Sequence, residues 1–233
     1  YGTSFNTSGD SYSLGSTNAD TPPEQSINME LGAKLDSADK RFTTRLALFH
    51  AIKKNERNTD PLLTVPGTST PLVTLNGERY VRGIEIDISG RLTPKWEVFG
   101  SYAWMPDAKV TKAAPCPASG SCTQNTPGER VGDRPALIPE YSGALWNTYQ
   151  LTSQWRIGAG LTYRGKQKPT RSEFEVPAFV VGDVMAEYRV NDEFTLKGNV
   201  SNVTNKLYAD QLYPGHYVPG AGRLVQLTGS YKF

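Results

Sequence analysis

The residue types that carry out catalysis or ligate metals are scarce in this chain. It has two histidines, His50 and His216, far apart in sequence, and two cysteines, Cys116 and Cys122. A Cys/His zinc site needs about four gathered ligands, and this pattern does not supply them. The cysteines fall in APCPASGSC, a Pro/Gly/Ser-rich stretch. They read as a disulfide pinching a loop in an oxidising compartment, with two free thiols as the alternative. No G-x-S-x-G, phosphate-cradling loop or metal-ligand cluster is present. A Ser/His/Asp triad would have only His50 or His216 to draw on, and neither has an evident setting. The inventory predicts no enzyme and no resident cofactor, and it directs attention to binding and to the elements that would position a binding surface.

Those elements are strands. Ile27, Met29, Leu31, Ala33 and Leu35 alternate with Ser26, Asn28, Glu30, Gly32 and Lys34. The same period of two recurs in Ile84, Ile86 and Ile88 against Glu85, Asp87 and Ser89. It returns in Trp96, Val98, Gly100, Tyr102 and Trp104 against Glu97, Phe99, Ser101 and Ala103, and again over 155–164 and 194–201. Helical stripes are nearly absent. About ten strands are predicted, with 1–5 as the tail of one begun earlier. Each has one apolar face and one polar or charged face, so each meets two different solvents.

The connections alternate in length. Short ones fall at DSADK (36–40), TPK (93–95), TSQ (152–154) and NDE (191–193); long ones fall at about 6–25, 56–79, 105–140, 165–178 and 208–222. Transmembrane β-barrels pair tight periplasmic turns with long extracellular loops in this way. With the short turns set periplasmic, Phe42, Trp96, Tyr149, Trp155, Tyr188, Phe194, Tyr231 and Phe233 gather near that end, and Tyr80, Tyr102, Trp104, Tyr141 and Tyr163 near the outer one. Trp96 to Trp104 is about 27 Å of strand at ~3.4 Å per residue, or about 20 Å of depth at a tilt near 40°. That roughly matches the apolar band of an outer membrane.

Composition agrees. The mean hydropathy of -0.48 is low, as an alternating barrel allows, and no run of about 18 apolar residues predicts a membrane helix. A net charge of +2 without a basic stripe argues against nucleic acid as a partner. A soluble β-sandwich also alternates, but loop asymmetry, paired aromatic belts and whole charges on the inward faces (Glu30, Lys34, Glu85, Asp87, Arg156, Arg164) stand against it.

Four stretches then carry a resemblance: INMELGAKL with TRLALFHAIKKN (27–55), YVRGIEIDISGRL with WEVFGSYAW (80–104), VPAFVVGDVMAEYRV (176–190) and NVSNVTNKLYADQLYPGHYVPGAGRLVQLTGSYKF (199–233). In this order and spacing the chain resembles the C-terminal part of TonB-dependent outer-membrane siderophore receptors, most nearly the ferric-catecholate receptors. The resemblance covers essentially all of 1–233. It implies an all-β fold: an antiparallel transmembrane β-barrel, of which this is about the last ten of 22 strands, with the plug domain absent. It implies a bacterial outer-membrane location and TonB-dependent uptake of a ferric siderophore, with iron entering only as part of that complex. TonB would be contacted through the missing N-terminal part. Outer-membrane lipid, lipopolysaccharide and the barrel-assembly machinery are the other implied partners. A passive porin-like channel is the alternative, since it shares the alternation, the girdles and a terminal Phe.

A ferric catecholate is anionic and carries flat rings, so a site should combine Arg or Lys with aromatic side chains. GERVGDRP (128–135), YRGKQKPTRSEF (163–174) and YPGHYVPGAGR (213–223) do so. The substrate-binding candidates are Arg130, Arg134, Lys168, Arg171, Tyr213, His216 and Tyr217, with Arg223 read as structural. Tyr231 and Phe233 are the candidate membrane-assembly signal. The Asn-x-Ser/Thr matches at Asn199 and Asn202 carry no weight on a bacterial strand.

Overall fold

The structure, a computed structural model, describes residues 2–4, 23–64, 67, 71–113, 129–169, 172, 174–213 and 215–233. Their regular structure is strand throughout: β1 Gly2–Ser4, β2 Glu24–Asp36, β3 Phe42–Thr64, β4 Pro71–Thr93, β5 Trp96–Lys112, β6 Tyr141–Gln150, β7 Trp155–Arg164, β8 Phe179–Arg189, β9 Phe194–Ser201, β10 Ala209–Tyr213, β11 His216–Pro219 and β12 Leu224–Tyr231. Ten of them form one antiparallel sheet in the order β1 to β9 and then β12, while β10 and β11 make a separate hairpin between β9 and β12. The short strand predicted over 1–5 is β1, paired with the start of β2.

Cross-strand register converts alternation into two continuous faces. Leu46 stands opposite Ile86, Ile86 opposite Tyr102, Tyr102 opposite Gly143, Gly143 opposite Tyr163 and Tyr163 opposite Val180. On the other face Arg45 meets Asp87, Asp87 meets Ser101, Ser101 meets Ala144 and Ala144 meets Thr162. A one-residue slip at any ladder would exchange the faces and mix apolar with charged side chains, so keeping the two faces distinct sets the register. The aromatic rows align as well. Trp96 pairs with Tyr149, Trp155 with Tyr188 at a ring separation of 4.6 Å, and Phe194 with Tyr231. Trp104 pairs with Tyr141 at the opposite end.

Little of this sheet is buried by protein. Val98, Ala108, Val110, Phe179, Val181, Met185 and Ala209 are the enclosed hydrophobic residues among those described, whereas Leu31 is 73% and Leu227 77% exposed. A β-sandwich would cover such a row with a second sheet about 10 Å away; here the second sheet is the small β10–β11 hairpin. The order also ends on β1 and β12 without pairing them, so the chain is a partial, unclosed barrel wall. Among the described residues each edge presents unpaired N–H and C=O groups, which lipid does not tolerate.

The four tight turns match the four short connections. Three use one device: a side-chain oxygen at the turn entry accepts two main-chain N–H groups. Thr93 Oγ1 accepts from Lys95 and Trp96, Thr152 Oγ1 from Gln154 and Trp155, and Asn191 Oδ1 from Glu193 and Phe194. The fourth is centred on Asp39, whose carboxylate accepts from Ser37 Oγ, the Arg41 N–H and Arg41 Nε.

The long connections differ from expectation. The stretch 56–79 is not an open loop: β3 continues to Thr64 and β4 begins at Pro71, with bulges marking irregular register. Cross-strand main-chain bonding extends the ladder through residues whose composition reads as loop. Likewise β5 runs on to Lys112, 165–178 holds an isolated bridge between Gln167 and Val176, and 208–222 contains β10–β11.

At the short-turn end, Tyr231 donates its hydroxyl to Glu193 Oε2 at 2.7 Å, and its ring meets that of Phe233 edge-on at 5.3 Å. The aromatic terminus is thereby tied to the β8–β9 turn.

Candidate ligand-binding cleft

At the long-connection end, the polar faces of β4 to β7 form the floor of a cleft of about 890 Å³. Glu85, Asp87, Ser101 and Thr162 line it from the strands, and Arg164 stands at its upper edge. Asp210, Gln211, Leu212 and Tyr213 of the β10–β11 hairpin roof it, with Leu137 and Pro139 on one side.

The hairpin stays over the floor through contacts that begin far away in sequence. A terminal nitrogen of Arg164 donates to the Asp210 carbonyl at 2.9 Å, while its guanidinium lies 5.6 Å from the centroid of the Phe179 ring. Phe179 in turn stacks on Tyr208 at 4.6 Å, and the Gly220 N–H donates to the Tyr208 carbonyl at 2.9 Å. Beneath them Asn202 is 2% exposed and fully used. Its Nδ2 donates to the carbonyls of Lys206 and Ala221, its Oδ1 accepts from the Lys206 N–H, and its own N–H donates to Asp183. Asn202 and Asn205 both take positive φ, 48° and 53°, a conformation Asn tolerates better than most residues.

The predicted residues separate into three groups. Tyr213 and His216 come together: their rings stack at 5.1 Å and 9°, and the Tyr213 hydroxyl donates to Gln211 at 2.9 Å. Tyr217 is exposed and pairs with Leu212, so the period of two puts it on the opposite face of the hairpin from Tyr213 and His216. Arg134 and Lys168 meet elsewhere, in a smaller neighbouring pocket of about 160 Å³ that shares Ile138 and Gln167 with the main cleft. Arg134 spends its donors on main-chain carbonyls: Nε on Ile138 at 2.9 Å, and a terminal nitrogen on Pro139 at 3.1 Å and on Met105. Burial lowers its pKa from the ordinary arginine value, an effect opposed by the carboxylates of Glu140 and Asp107. Lys168 accepts the Leu137 N–H through its carbonyl. Arg130 is exposed in the neighbouring turn, where its N–H donates to Asp133. Arg171, Cys116 and Cys122 lie outside the described residues.

Sequence reasoning passed over Arg164 as one more inward charge and over Asn202 as an irrelevant sequon. Arg164 closes an apolar-to-polar alternation at the outer end of its strand, the position from which a long side chain reaches a loop. For Asn202 the signal is NVSNVTN, where Asn repeats just where a strand gives way to Gly- and Pro-rich chain.

An open antiparallel wall with one apolar and one polar face, aromatic rows at both ends and a cleft at the long-loop end defines a piece of a membrane β-barrel receptor. The chain belongs to the TonB dependent receptor-like β-barrel family, which residues 1–203 match. It is 30% identical over 225 residues to the probable TonB-dependent siderophore receptor PiuA of Acinetobacter baumannii, covering 96% of this chain and 29% of that one. The catecholate siderophore receptor Fiu of Escherichia coli K12 is 29% identical over 92% of this chain and 26% of its own length. In solved structures, PiuA superposes with a TM-score of 0.78 at 27% identity, covering 93% of this chain and 30% of PiuA. The closed form of Fiu superposes with a TM-score of 0.71 at 27% identity, covering 92% of this chain and 28% of Fiu. The chain thus spans under a third of the length of these relatives. They are receptors by name, and in a transmembrane β-barrel of this family's kind the apolar face of each strand meets lipid while the polar face meets the lumen.

Proposed function

We propose that this chain supplies wall and outer loops to a bacterial outer-membrane receptor that takes up a ferric siderophore, of the catecholate type, in a TonB-dependent manner. The observation that carries the proposal is the roofed cleft at the extracellular mouth, where the stacked Tyr213 and His216 stand on a hairpin held by Arg164. Rings suit the flat faces of a catecholate, and the cations of the 128–135 and 163–174 loops suit its negative charge. The names of PiuA and Fiu support this reading. No chemistry is done on the ligand; iron arrives within the chelate as cargo. TonB is engaged by parts of the receptor outside this chain, and Tyr231 with Phe233 serves recognition by the barrel-assembly machinery. Most inward charges of the wall face the lumen contents.

The test is made in the complete receptor. Tyr213→Ala with His216→Ala should weaken binding of a ferric catecholate by about tenfold or more, with heat-modifiable gel mobility retained. Uptake should require TonB. Unchanged catecholate binding, or TonB-independent passage of small solutes through the wild-type protein, would overturn the proposal in favour of another ligand or a passive channel.

A further inference from the structure

Five non-glycine residues among those described take positive φ. Three are asparagines, and Lys40 closes the β2–β3 turn, where its N–H donates to the Ser37 carbonyl. The fifth is Leu137, at 64°. A bulky side chain disfavours this left-handed region, and such a conformation persists only where its surroundings over-determine it. Strain of this kind gathers at ligand clamps and switch segments. Leu137 stands 43% exposed in the side wall of the cleft, beside the roof residues Leu212 and Tyr213.

The groups that hold it there form a chain. The Ala136 N–H donates to Glu129 Oε1, and the Leu137 N–H donates to the Lys168 carbonyl at 2.9 Å, so two successive peptide groups are pinned. Glu129 is in turn fixed by Arg79, whose two terminal nitrogens reach its carboxylate oxygens at 3.1 and 2.6 Å, a paired geometry that sets orientation as well as charge. Arg79 Nε reaches Glu56 Oε2 at 2.6 Å. The Glu129 side chain is 10% exposed and that of Arg79 23%, so solvent weakens this link less than it does a surface pair. Beyond Leu137, Arg134 engages the carbonyls of Ile138 and Pro139. An arginine on β4 thereby fixes a leucine beside the cleft through one carboxylate.

The fold itself makes little use of this leucine. Its side chain is not among the enclosed hydrophobic residues, and glycine would adopt the same φ without the steric penalty. The geometry points to Leu137 as a ligand-contacting residue, which a strained backbone presents to the apolar ring faces of a catecholate. Glu129 and Arg79 are positioning residues that act through it. This inference rests on the proposal that the cleft binds a ferric catecholate.

The complete receptor is titrated with a ferric tris-catecholate chelate, and its denaturant midpoint is measured alongside. Leu137→Ala and Leu137→Gly both remove the contact and should each lose about tenfold in affinity. Only glycine relieves the strain, so Leu137→Gly should have the higher midpoint of the two. Glu129→Ala should also weaken binding, and Glu129→Ala/Leu137→Gly should bind no more weakly than Leu137→Gly alone, since Glu129 acts through the leucine. Val131→Ala, at a 64% exposed position of the same loop outside the cleft, should leave affinity unchanged. Affinity that follows the midpoint, with Leu137→Gly binding as the wild type does, would show a structural role and overturn the inference. Additive losses in the double variant would overturn it as well, and in both cases the receptor reading stands. A wild type that binds no ferric catecholate would remove that reading and this inference with it.

Discussion

Tyr208 and Phe179 stack with centroids 4.6 Å apart and planes 36° from parallel, and Gly220 lies so close beneath Tyr208 that a Cβ there would overlap the ring. This stack joins β8 to both ends of the β10–β11 connection. Gly220→Ala should displace Tyr208 at an overpacking cost of about 1–3 kcal/mol. Limited proteolysis should cut within 209–219 faster in this variant, with heat-modifiable mobility of the complete receptor kept. Unchanged protection would show that the stack does not hold the hairpin.

Asn202 offers a separable pair of effects. Asn202→Gly keeps access to its positive φ but loses three side-chain hydrogen bonds. Removing such bonds at a 2% exposed position should cost about 1–3 kcal/mol for the buried groups left unpaired. Asn202→Ala should cost about 1 kcal/mol more, because a Cβ disfavours the left-handed region. Denaturant titration of the refoldable receptor measures both, and equal losses would show that φ contributes nothing.

Arg134→Lys should free the loop it organises. A single ammonium cannot reproduce the fork that engages Ile138, Pro139 and Met105 together. Main-chain amides of 134–140 should exchange hydrogen faster by about tenfold, while β6 and β7 amides stay protected. If ligand affinity falls with no change in exchange, Arg134 acts on the ligand directly.

The β2–β3 turn should resist acid. Hydrogen bonds from Ser37 Oγ, the Arg41 N–H and the Arg41 side chain hold the Asp39 carboxyl far below its ordinary value of 3.8. A depressed carboxyl contributes stability above its unfolded pKa and loses it as pH falls through the lower folded value. The turn should therefore stay closed at pH 3, where an ordinary aspartate is mostly protonated, and Asp39→Asn should remove this pH dependence. Exchange of the Phe42 N–H, which donates to Ser37 Oγ, reports it.

The sequence by itself determined the strands, their faces and their short turns. Alternation is a local property: with a period of two, Ile84, Ile86 and Ile88 must share a side whatever the rest of the chain does. Thr93, Thr152 and Asn191 likewise act within three residues of themselves. Composition misled where long-range pairing outweighed it, since β3 and β4 bond to each other from 58 to 74 through residues that read as loop. Only the tertiary structure decided the site. Arg164 meets Asp210 across 46 positions, and Arg79 meets Glu129 across 50. Whether an arginine faces a ligand or, like Arg134, is consumed by carbonyls depends on which distant main chain arrives beside it. No periodicity encodes that; it follows from how the loops fold back over the wall.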